Sequence, residues 1–77
     1  MAYRVRRGGS PMDSGVVLFD IAVAEKCALN MARQVAKERG DFAGTIDMYG
    51  APGDPVGWGA CPENNEGGYY PIITEEP

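Results

Sequence analysis

Polar and apolar residues alternate at the start of the chain. Tyr3 and Val5 fall on one side of Ala2–Arg7, and Arg4 and Arg6 on the other. A period of two is that of a strand with one buried face. Gly8-Gly9-Ser10-Pro11 and Asp13-Ser14-Gly15 then read as a long turn. Val16-Val17-Leu18-Phe19 is β-branched and aromatic, which predicts a second strand in a hairpin with the first. The period then changes. Ala24, Cys27, Ala28, Met31, Ala32 and Val35 recur at three-and-four spacing, with Glu25, Asn30, Arg33, Gln34, Lys37 and Glu38 elsewhere. That spacing predicts a helix from about Ile21 to Arg39 whose alanine-rich stripe packs on a sheet. Asp20 is suited to cap its start, Lys37 and Arg39 suit its negative end, and Gly40 suits the left-handed stop.

After the helix the period of two returns. Ile46 and Met48 oppose Thr45, Asp47 and Tyr49, giving a third strand over Thr45–Tyr49. Gly50–Pro55 reads as a loop, Val56–Cys61 as a short strand carrying Trp58, and Pro62–Gly68 as a turn. Tyr69–Thr74 reads as a last strand, confined by Pro71 to an edge or to a position whose amide is not needed. Glu75-Glu76-Pro77 reads as a free tail. The expectation is a single α+β domain over residues 1–77, with one helix on a largely antiparallel sheet of four or five strands. Its order is strand, strand, helix, strand, strand, strand.

Composition adds a charge asymmetry. The 77 residues are 44% hydrophobic and 23% charged, an ordinary globular balance, with a net charge of −4. All seven bases (Arg4, Arg6, Arg7, Lys26, Arg33, Lys37, Arg39) precede residue 40. Seven acids (Asp41, Asp47, Asp54, Glu63, Glu66, Glu75, Glu76) and no base follow it. Two readings stand side by side: a solvated acidic surface that aids solubility, and a face suited to a basic partner.

Residue types narrow the chemistry. Without histidine there is no Ser-His or Cys-His nucleophile pair. Lys26 and Lys37 read as exposed helix positions, and paired carboxylates need a substrate cleft that a chain this short rarely builds. The expectation is that this is not an enzyme. Gly57-Trp58-Gly59 lacks the third glycine and following helix of a dinucleotide loop, and Glu63–Gly68 lacks the spacing of a calcium loop. Cys27 and Cys61, thirty-four positions apart, form no metal cluster and are expected as two free thiols. No cofactor is expected. No apolar run reaches the roughly 18 residues that cross a membrane. No apolar stretch of signal-peptide length directly follows the basic start, so a cytosolic location is expected. Arg4, Arg6 and Arg7 offer a phosphate-binding reading, set against that of one polar face of an edge strand and an overall negative charge. No direct nucleic-acid contact is therefore expected.

The best binding constellation lies in the second half. Tyr49, Trp58, Tyr69 and Tyr70 are amphipathic rings suited to interface anchoring, and Asp47, Asp54, Glu63 and Glu66 surround them in sequence. Trp58 is equally suited to filling a small core. Asp20-Ile21 with Ala24, Lys26 and Ala28 on the helix, followed by Asp41-Phe42-Ala43-Gly44-Thr45-Ile46 entering a strand, resembles certain small anti-CRISPR proteins of phages and mobile elements. The resemblance covers roughly residues 16–49. It implies an inhibitor that binds the basic surface of a type I CRISPR surveillance complex where target DNA would be engaged, in the cytoplasm of a bacterial host. It carries over no contact residue. A monomer or small homo-oligomer is expected. The competing expectation is a small phage-encoded regulatory or structural module acting on a host partner.

Overall fold

The structure, a computed structural model, describes residues 1–8, 14–40, 45–54, 57–62 and 69–76. They form strands β1 (Ala2–Arg6) and β2 (Val16–Leu18), helix α1 (Ile21–Arg39), and strands β3 (Ile46–Tyr49), β4 (Gly59–Pro62) and β5 (Ile72–Glu76). The strands build one five-stranded sheet in the order β2-β1-β5-β4-β3, each neighbouring pair antiparallel. The helix connects one sheet edge to the other and covers one face. The α+β architecture is the one the hydrophobic pattern predicts.

Local chemistry sets the helix limits. Asp20 has an extended backbone, and its carboxylate accepts from the N–H groups of Ala22 at 2.9 Å and Val23 at 3.2 Å. Those amides have no partner within the helix, so the side chain satisfies them. Gly40 closes the other end at φ 72°, donating its N–H to the carbonyls of Ala36 and Lys37. Between the caps, Ala24, Ala28, Ala32 and Val35 are buried, with Cys27 and Met31 half-buried beside them. Small side chains on the stripe let the helix lie close to the sheet. The bulk comes mainly from the other side: Val5, Trp58, Tyr70 and Ile73 complete the core with Ala60.

The second half departs from its predicted boundaries. β4 begins at Gly59 and includes Pro62, whereas the pattern predicts Val56–Cys61; Val56 lies outside the described residues. Ala60 donates toward β5, to the carbonyl of Pro71 at 3.4 Å. By alternation the nitrogen of Pro62 faces the same way, away from its β3 partner, so its missing N–H removes no bond to β3. β5 begins at Ile72 because Pro71 contributes no N–H. It runs through Glu76, so Glu75 and Glu76 are strand residues and not a free tail. The cause is long-range: Ala2 pairs with Glu76 and Tyr3 with Glu75. Arg4 and Glu76, diagonal neighbours on the uncovered face, form an ion pair. Pro77 lies outside the described residues. Among the described residues no helix is long and apolar enough to cross a membrane, and Cys27 and Cys61 are free thiols.

Candidate functional site

The loop between β3 and β4 is shaped by glycine. Gly50, Gly53 and Gly57 all have positive φ, at 72°, 85° and 119°. A Cβ on Gly50 would collide with the carbonyl oxygen of Gly57, so the loop folds back on its own start. Turn hydrogen bonds fix Asp54: its N–H donates to the Ala51 carbonyl at 2.9 Å, and its carbonyl accepts from Gly57 at 3.1 Å. Among the described residues β4 pairs with β5 only at Gly59 and Ile72. Beyond that point the loop and β5 enclose a concavity of about 340 Å³, lined by Asp54, Gly57, Trp58, Ile72, Thr74 and Glu75 among others. Asp54 and Glu75 are both exposed. The floor is therefore largely backbone and apolar side chain, with two carboxylates on the walls.

Tyr49 adjoins this groove. Its ring lies over Gly57 of the loop and Gly59 of β4: Cε2 stands 4.0 Å from where a Gly57 Cβ would be, and the hydroxyl 3.2 Å from the corresponding position on Gly59. Burial pushes the phenol pKa up, and neighbouring Cys61 adds to the shift. Tyr49 is thus a neutral donor at physiological pH. Asp47, two residues earlier on the same face of edge strand β3, is exposed.

The structure separates the other predicted site residues from this surface. Trp58 and Tyr70 are only 3% and 4% exposed and belong to the core. Trp58 meets Tyr3 edge-to-face at 5.8 Å and donates its indole N–H to Glu25 of the helix at 3.2 Å. Reading either ring as a partner contact is thereby corrected: each packs toward the helix layer, and Tyr70 is followed by buried Pro71. Tyr69 is exposed, but Arg39 stacks on its ring at 3.8 Å near the helix C-terminus. Glu63 and Glu66 lie outside the described residues. Of the predicted set, Asp54 lines the groove together with Glu75, and Tyr49 borders it at Gly57. Asp47 lies farther along β3 on the uncovered face, whereas Glu75, opposite Tyr3, belongs to the helix-covered face. Sequence reasoning missed Glu75 because it reads as a tail. Its pairing with Tyr3 carries it into the wall of the groove.

Two bases of the N-terminal cluster are engaged internally. Arg4 pairs with Glu76 and also donates to the Ser14 carbonyl, and Arg7 pairs with Glu38. The Arg4 hydrogen bond holds the Glu76 carboxyl below its usual range. The unfolded chain then takes up a proton at higher pH than the folded one. Stability from this pair is present above the ordinary carboxyl value, roughly pH 4.3, and is lost as pH falls through the lower folded value. Glu76→Gln is expected to lower the melting temperature slightly at pH 7 and to flatten its fall below about pH 4.5. Thermal melts by circular dichroism between pH 7 and pH 2.5 check this; parallel curves for the two proteins would contradict it.

The groove can accept hydrogen bonds and hold cationic groups through Asp54 and Glu75, with Tyr49 at its border able to donate one hydrogen bond. Among the described residues no group of three or more His, Cys, Asp or Glu could hold a metal ion. No protein-family model, curated protein or solved structure matches the chain.

Proposed function

We propose that this chain is a non-enzymatic binding protein whose acidic surface docks onto a cationic surface of a partner protein. The observation that supports it is the convergence of Asp54 and Glu75 on one concavity, bordered at Gly57 by the Tyr49 ring. Carboxylates held on a wall of backbone and apolar side chain suit guanidinium and ammonium groups, because charge-assisted hydrogen bonds are the stronger ones. Complementary charge also speeds the encounter. The resemblance of residues 16–49 to small anti-CRISPR proteins supplies a specific target: the basic, DNA-engaging surface of a type I surveillance complex in a bacterial cytoplasm. There the carboxylates take the place of phosphates and block DNA recognition by occupation. The groove supports the cationic class of partner, and the choice of target rests on the resemblance alone. The mechanism uses no cofactor.

The test measures binding of the chain to a purified type I surveillance complex, with and without target DNA bound first. Binding to the free complex and its loss on the DNA-loaded complex are expected. Reversing Asp47, Asp54 and Glu75 to lysine together should weaken binding by more than about tenfold while the circular dichroism spectrum is kept. No binding by the native chain would remove the target. Equal binding by the triple variant would remove the acidic contact.

A further inference from the structure

We infer that two copies of this chain associate through the open edge of β2, continuing the sheet across a two-fold axis.

The main chain is oriented for it. Ile73 donates to the carbonyl of Trp58, so its main-chain groups face β4, while those of Ile72 and Thr74 face β1. Alternation carries through the register. Arg4 and Arg6, opposite Thr74 and Ile72, face β5. Tyr3 and Val5 then face β2, and their partners Leu18 and Val16 face β1. The N–H and C=O of Val17 therefore point off the sheet, and no described residue pairs with that edge. Antiparallel pairing of an edge with its own copy is self-complementary: with Val17 on the axis, the two valines exchange both hydrogen bonds, and Val16 of one copy meets Leu18 of the other.

The side chains agree. Edge strands are usually guarded by charge, proline or a bulge. Here Val16, Val17, Phe19, Ile21 and Val23 are all exposed, Phe19 to 79%. The one charged residue among them, Asp20, is occupied in capping the helix. On the uncovered face next to Val17, Arg4 is neutralised by Glu76. Exposed to between 37% and 79%, these five side chains present on the order of 450 Å² of apolar surface per copy. Were all of it covered, two copies with the paired backbone would bury at most on the order of 1,000 Å², the threshold of a specific interface. That area corresponds to a weak dimer, and the association is independent of the acidic groove.

Sedimentation equilibrium of the full chain from about 10 µM to about 1 mM tests it. The mass should rise from 8.2 kDa toward twice that value, and Val17→Lys should stay at 8.2 kDa throughout with its circular dichroism unchanged. Phe19→Ser, outside any strand, serves the same purpose if the strand variant fails to fold. Mild oxidation of Val17→Cys should give a 17-to-17 cross-linked peptide by mass spectrometry. A native chain that remains at 8.2 kDa at the highest concentration overturns the inference, as does a dimer that survives both Val17→Lys and Phe19→Ser.

Discussion

Gly59→Ala is expected to cost about 3 kcal/mol of folding free energy, at the upper end for overpacking. A domain of this size has only about 5 kcal/mol in total, so most of its stability would go. A Cβ at Gly59 would stand well inside 3.0 Å of the Pro71 carbonyl oxygen, and its next neighbour is the Tyr49 hydroxyl at 3.2 Å. The oxygen is main chain, fixed by the bond that Ala60 donates to it. Relief therefore requires β4 and β5 to part at the one place where their described residues pair. Gly53→Ala is the control. Gly53 has φ 85° and open space around it, so that substitution should cost only about 1 kcal/mol for the left-handed backbone. Urea unfolding followed by circular dichroism should separate the two variants by midpoint; equal midpoints would show that the close approach of β4 and β5 is not the cause.

Trp58→Ala is expected to leave the chain largely unfolded at 25 °C, because truncating a buried tryptophan costs about 3–5 kcal/mol. The ring fills the space that alanines on the helix leave open, and it touches Tyr3 on β1. Trp58→Phe isolates the polar part. It keeps most of the ring but removes the donor to Glu25, leaving a half-buried carboxylate one bond short, at about 1–1.5 kcal/mol. Trp58 is the single tryptophan, so native fluorescence reports this site directly. Emission should be blue-shifted in the native chain and move to the red on unfolding. Solvent-exposed emission from the folded protein, or a Trp58→Ala variant that melts like the native chain, would contradict the placement of the ring.

The helix was legible because its signals are local: a capping carboxylate, a stripe at helical spacing and a terminal glycine lie within 21 residues, from Asp20 to Gly40. The strands of the first half were legible for the same reason. β4 and β5 were not, because tertiary pairing sets their limits. β5 reaches Glu76 only because β1, some seventy residues earlier, offers Ala2 and Tyr3. The site suffers more. Tyr49, Trp58 and Tyr70 are equivalent amphipathic rings in a linear reading, and only strand parity and the position of the helix decide which become core. The groove itself depends on where β4 stops pairing with β5, which leaves no mark in local composition.

The strand last in sequence is the third of five in the sheet. Until β5 inserts, the β1–β2 ribbon and the β3–β4 ribbon have no strand joining them, and the helix has only fragments of a floor. Closure of the sheet is therefore one cooperative step dominated by distant contacts. Until that closure, the edges of β1 and β4 that β5 covers stand open to proteases.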